Sequence, residues 1–171
     1  MDKSLSNLEI QAVLGSKCVI MSYKNINKIN NIDKFFKRNK YLIILYEWKK
    51  NYGHWTCILK QGKTLEFFDS YGTQPDMELK DFSKYTRNQY GMEFPLVAKL
   101  LMDSNKEIHY NNYKLQSQKQ GVNTCGRWCI YRCLNDHLNI DQFVHKLIYR
   151  YKIKPDKLIV QATNRLLKSK V

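Results

Sequence analysis

Residues 41–72 read YLIILYEWKKNYGHWTCILKQGKTLEFFDSYG, in which apolar runs alternate with short polar breaks. Tyr41 to Tyr46 is a compact apolar run rich in β-formers and reads as a buried strand. Trp55 to Lys60 and Thr64 to Asp69 read as two more strands. Gln61-Gly62-Lys63 between them is a tight-turn signal, so the pair is expected to form an antiparallel hairpin. His54 and Asp69 would then share its open end, since the two positions are nearly symmetric about the turn. Tyr71 to Asp76, YGTQPD, ends the pattern.

Helical signals lie on both sides of this segment. Ser6-Asn7-Leu8-Glu9 reads as a capping box and Gly15 as a stop, which predicts a short helix over 7–14. Asn30 to Asn39 reads as a second helix with a basic face. Downstream, MELKDFSKYT and PLVAKLLMD are helical candidates, and Ile108 to Leu115 is another strand leading into a polar loop, Gln116 to Asn123. Cys125 to Leu134 reads as a helix, and two more follow near Asp141 to Tyr151 and Pro155 to Leu167, the proline suiting a first turn. Helices, then a sheet segment, then helices define the α+β class, here a small mixed or antiparallel central sheet flanked by helices. The 171 residues are expected to form one domain, 1–171. A chain of that size buries roughly 70% of its unfolded surface and needs no covalent staples.

Lys and Arg number 29 against 15 Asp and Glu, a formal net charge of +14 and a pI of about 9.5. Such a field attracts polyanions and points to nucleic acid as a partner rather than a substrate. The bland alternative is that scattered lysines reflect only the base composition of the genome. Five cysteines are an odd number. Met1 to Leu14 does not resemble a signal peptide, and no run approaches the ~18 apolar residues of a membrane span. A reducing interior, free thiols, no membrane and no secretion are the expectation.

Cys125 stands where the loop QSQKQGVNT enters the helix CGRWCIYRCL. A thiol at a helix start lies near unpaired N–H groups and the positive end of the macrodipole, both of which favour the thiolate. Gly126 permits close approach of a substrate, and the Cys125 N–H can help bind an oxyanion. Cys129, Cys133 and His137 follow at intervals of four, but a helix would separate Cys125 from His137 by ~18 Å, so one metal cannot reach both. Among His54, His109, His137 and His145, only His54 begins an apolar strand at the end shared with a carboxylate, Asp69. A hydrogen bond between them would turn the other imidazole nitrogen toward the thiol.

GHW, then FFDSYG, then a Gln-rich loop ending in TCGRWC resembles the adenain-like and Ulp-like (clan CE) cysteine peptidases. These include maturation proteases of adenoviruses, virophages, polinton-type elements and large DNA viruses. The resemblance covers roughly Tyr41 to Leu134. It implies His54 as general base, Asp69 as its orienting residue and Cys125 as nucleophile. It also implies a glutamine before the cysteine that donates into the oxyanion hole. Gln116, Gln118 and Gln120 are available; the spacing of seven selects Gln118, with Gln116 at the strand end as a rival.

The short, basic chain resembles a virus-encoded thiol endopeptidase that cleaves capsid or core precursors in virion maturation. The expectations attached to that resemblance are a polypeptide substrate, no cofactor for the chemistry, nucleic acid as an activator, and a monomer. The expected place is the virion, the host cytoplasm or the virus factory. Two other readings stand beside it: a processing or deconjugating peptidase for ubiquitin-like proteins, and a non-enzymatic basic nucleic-acid-binding protein. Replacing Cys125 by alanine separates the last from both others.

Overall fold

A five-stranded mixed sheet with strand order β1-β2-β3-β4-β5 carries the molecule. The structure is a computed structural model and describes residues 4–150 and 152–170. The strands are β1 (Cys18–Ser22), β2 (Tyr41–Lys49), β3 (Tyr52–Gln61), β4 (Thr64–Phe68) and β5 (Glu107–Tyr110). The middle pairs, β2 with β3 and β3 with β4, are antiparallel; the outer pairs, β1 with β2 and β4 with β5, are parallel.

Parallel neighbours require crossovers, and here helices supply them. The segment between β1 and β2 holds a 3₁₀ turn, Tyr23–Lys28, and α2 (Ile32–Arg38); that between β4 and β5 holds a second 3₁₀ turn, Met77–Asp81, with α3 (Lys84–Gln89) and α4 (Leu96–Met102). Tyr23, Ile26, Phe36, Val97 and Leu101 from these crossovers pack one face of the sheet. Helix α1 (Asn7–Leu14) and the later helices α5 (Cys125–Leu134), α6 (Ile140–Arg150) and α7 (Pro155–Lys170) cover the other, through side chains such as Ile10, Trp128, Phe143 and Ile159. With both faces covered, alternate residues of β2 enter different cores: Tyr41, Ile43 and Leu45 one, Leu42, Ile44 and Tyr46 the other. That is why YLIILY is a continuous apolar run rather than an alternating one.

The capping box at Ser6 and Glu9 is present, closing α1 over the predicted residues. Several boundaries differ. MELKDFSKYT divides at Phe82, because Ser83 caps α3 through the Thr86 N–H and starts a separate helix. The strand expected over 108–115 pairs only as far as Tyr110. Beyond it, Asn111 accepts from the Tyr113 N–H and donates to the Asp69 carbonyl, bending the chain off the ladder. β1 carries no turn signal or alternation of its own and answers to no sequence expectation. Tyr151, the last residue of the predicted helix from Asp141, lies outside the described residues. Among the described residues no helix is long and apolar enough to cross a membrane.

Candidate active site

The β3 end that carries His54 is built on a glycine. A Cβ at Gly53 would lie 1.9 Å from the Tyr46 carbonyl oxygen, so only glycine lets β3 approach β2 this closely beside the histidine. Trp55 then turns into the α5 face, and His54, at the opposite parity, reaches the strand's open end. Gln61 pairs with Thr64, which puts the hairpin centre slightly later than the sequence symmetry assumed. Asp69 is therefore diagonal to His54, and the position opposite His54 falls to Tyr71. The Tyr71 ring stacks on the imidazole at 4.6 Å and 17°.

His54 and Asp69 are both buried, and His54 Nε2 meets Asp69 Oδ1 at 2.8 Å. Asp69 is heavily supported. Oδ1 also accepts from the Tyr71 N–H at 2.8 Å, Oδ2 accepts a short hydrogen bond from the Thr73 hydroxyl, and its backbone carbonyl is held by Asn111 Nδ2. Burial alone would raise the Asp69 carboxyl, but the His54 charge and these donors hold it below the ordinary carboxylate value. An ionised Asp69 can only accept, so Nε2 carries the proton and Nδ1 is left for another partner. For His54, burial pulls the pKa down. The Asp69 carboxylate outweighs it and, with the Cys125 sulfur on the accepting side, holds the imidazole well above its usual value. Glu78 stands nearby; burial, then neighbouring acidic charges against the opposing His54 charge, push its carboxyl up to about 8. It is therefore largely neutral at pH 7, leaving Asp69 as the anion that faces His54.

Cys125 opens α5, with 5% of its surface exposed. The geometry thus brings Cys125, His54 and Asp69 together from three distant segments. A Cβ on Gly126 would fall 3.1 Å from Trp55 Cδ1, so the Cys-Gly pair lets the His-Trp pair pack against the helix head. The other α5 cysteines face inward: Cys129 and Cys133 are fully buried, and burial pushes both thiols well up. Farther along, the Arg132 guanidinium forms a fork on Glu66 at 2.8 and 2.7 Å, tying α5 to β4 inside the core.

The three candidate glutamines are placed differently. Gln118 is exposed, as is Gln120. Gln116 is the buried one: Oε1 accepts from Ser70 Oγ at 2.7 Å, and Nε2 donates to the Val122 carbonyl at 3.2 Å and Tyr71 Oη at 3.3 Å. Between Gln116 and Cys125 the chain turns at Lys119–Val122, with Gly121 at φ 86°, which brings the Val122 carbonyl back to Gln116. The remaining histidines lie elsewhere. His109 pairs with Glu107, and His109 and His137 line a shallow concavity at the hairpin-turn end with Gln61 and Thr64; His145 is exposed on α6. Among the described residues no group of three His, Cys, Asp or Glu side chains could hold a metal. A cavity of about 720 Å³ opens beside Trp55, with Leu5, Met21, Lys24, Glu47 and Tyr90 in its wall.

Thr73, Tyr71 and Asn111, which hold the Asp69–His54 pair, were not singled out from the sequence. Only YGTQPD, read as the end of the strand pattern, touched Tyr71 and Thr73.

No protein-family model matches the chain. Uncharacterized protein V9 of Sputnik virophage is 37% identical over 164 residues, covering 94% of this chain and 94% of that protein. The chain belongs to the V9 family. This V9 relative is similar in fold to the ASFV pS273R protease, with a TM-score of 0.50 and 15% identity over 95% of this chain and 67% of that one. It is equally similar to the central domain of Lpg1148 from Legionella pneumophila, with a TM-score of 0.50 and 15% identity over 99% and 100% of the two chains. The fold is thus similar to that of the ASFV pS273R protease, and the α+β mixed sheet flanked by helices is the one the sequence pattern called for.

Proposed function

We propose that the protein is a cysteine endopeptidase that cleaves viral capsid or core precursors. One observation carries this reading: the buried His54–Asp69 hydrogen bond, with Cys125 at the head of a helix close enough to bear on the same imidazole. In the proposed reaction the Cys125 proton resides on His54 Nδ1, leaving a thiolate beside an imidazolium, and the sulfur attacks the scissile carbonyl. The charge that develops on oxygen is received by the Cys125 N–H and by Gln116 Nε2, which takes the role first given to Gln118; its 3.3 Å contact with Tyr71 is the weaker of two bonds and the one a substrate oxygen would replace. The His54 imidazolium passes its proton to the departing amine. Water, deprotonated by the same nitrogen, then releases the acyl group and restores the thiol. Asp69 keeps the ring oriented throughout.

The virophage relative supports a viral substrate. A basic face supports nucleic acid as a second partner. Lys37, Lys60, Lys63 and Lys106 ring a concavity of about 300 Å³ at the hairpin-turn end, away from His54. Asp33, the acid among them, has both oxygens taken by Ser104 and Asn105.

The test is incubation of the protein and its Cys125→Ala variant with capsid precursors of the virophage type, read by intact mass. Active protein yields two fragments whose masses total the precursor plus one water; the variant yields none. Precursors left intact by the active protein remove the capsid reading. Cleavage of ubiquitin-like fusions in the same assay would move the substrate class to the deconjugating enzymes.

A further inference from the structure

The head of α5 is open in an unusual way. Its N-cap residue, Thr124, is of a type that ordinarily turns its side-chain oxygen back to accept from an N–H in the first turn. Here it makes no such bond, and its backbone is at φ −101°, ψ 0° rather than the extended conformation of a side-chain cap. The hydroxyl instead donates to Asp156 Oδ1 at 2.6 Å. Asp156 lies in the first turn of α7, and its carboxylate also accepts from Trp128 Nε1 at 3.0 Å and from the Ser117 N–H at 2.8 Å. One side chain from the C-terminal helix thus holds the cap residue, the second turn of α5 and the loop that follows Gln116. The first intrahelical bond runs from the Trp128 N–H to the Thr124 carbonyl. The N–H groups of Cys125 and Gly126 precede it and receive no side-chain cap.

We infer that Asp156 is a positioning residue of the proposed peptidase: by drawing the Thr124 hydroxyl away from α5 it leaves the Gly126 N–H uncapped and fixes the Thr124–Cys125 peptide plane that aims the Cys125 N–H at the oxyanion. This rests on the peptidase reading. Without Asp156, the buried Thr124 hydroxyl must find another partner, and the free N–H groups of its own helix are the nearest. Capping would fill the site with a neutral oxygen lone pair. It would also swing ψ of Thr124 into the extended region, turning the peptide plane that aims the Cys125 N–H.

The experiment compares Asp156→Ala with the Asp156→Ala/Thr124→Val double variant in the full chain, on a peptide cleaved by the unmodified protein. The single variant is expected to lose about 10- to 100-fold in kcat, somewhat less than deletion of a whole oxyanion donor, with KM changed little. Its alkylation by iodoacetamide, which needs the thiolate but forms no oxyanion, should stay within about threefold of wild type, whereas inhibition by a peptide aldehyde should weaken in step with kcat. Valine cannot cap, so the double variant should regain at least about tenfold in kcat over the single one. A double variant no faster than Asp156→Ala, or a single variant within twofold of wild type, overturns the inference. Where alanine at this position prevents folding, Asp156→Ser replaces it: serine suits the first turn of α7 but stops short of Thr124. If Cys125→Ala cleaves as well as wild type, the peptidase reading fails instead, and the two failures are told apart.

Discussion

Burial would lower the His54 pKa, and chiefly the Asp69 carboxylate overrules it, which can be measured. Asp69→Asn keeps the shape and removes the charge, so desolvation should prevail and the imidazole pKa should fall from well above 6.5 to below it. Titration of the His54 Cε1 proton by NMR reads the shift, and a value unmoved by the substitution would remove Asp69 as its cause. The pair also links stability to pH. His54, raised in the folded state, contributes fully below its unfolded value near 6.5 and loses that contribution as pH rises through its raised folded value. Asp69, lowered in the folded state, contributes above its unfolded value near 3.8 and loses it as pH falls toward its folded value. The stability gap between wild type and Asp69→Asn should therefore be widest between those limits and close at both ends. At this scale the sequence was informative where sterics leave one choice. Gly53 and Gly126 stand beside His54 and Cys125 because neither position has comfortable room for a Cβ, so GHW and CG could be seen in one dimension. Gln116 was harder to pick out, because its selection depends on how a loop folds and not on how many residues it contains.

Among the elements, those with strong local signals were readable: the capping box of α1, the Gly62 turn of the β3–β4 hairpin, and α5, whose bounds coincide with the expected ones. β1 lacked such signals, and β5 was anticipated from Ile108 but with its end placed at Leu115 instead of Tyr110. Each is an edge strand held by a parallel neighbour across a helical crossover, so its pairing comes from tertiary placement and not from local pattern. The Arg132–Glu66 fork was equally invisible, since 66 residues separate the two and each alone looks like a surface charge. It carries weight once folded. Glu66→Gln leaves a guanidinium buried without its counter-ion, and breaking such a pair costs about 3–5 kcal/mol. The thermal midpoint should drop by roughly 6–20 °C in a calorimetric scan, at 2–4 °C per kcal/mol for a chain of this size. A midpoint within a degree or two of wild type would mean that α5 does not depend on the fork.

At the scale of the whole molecule, the net charge of +14 is a property that no single residue explains. If the lysines around the Lys37–Lys63 concavity engage phosphates, each contact releases counter-ions, and log Kd for duplex DNA should rise with log salt at about 0.9 per phosphate contacted. Four contacts predict a slope above about 3 by fluorescence anisotropy between 50 and 200 mM salt, and Lys37→Glu with Lys63→Glu should flatten it. Affinity indifferent to salt would end the case for that face. Sequence alone supplied the sign and size of the charge but not its location, because lysines from α2, the hairpin turn and the approach to β5 meet only after folding. The clasp of α7 on the start of α5 has a temporal meaning as well. Asp156 is synthesised after Cys125, His54, Asp69 and Gln116, so a nascent chain whose α7 is still inside the ribosome already possesses every reacting group yet lacks the carboxylate that steers Thr124. In the proposed peptidase the surroundings of Cys125 would therefore be completed only after translation has passed them.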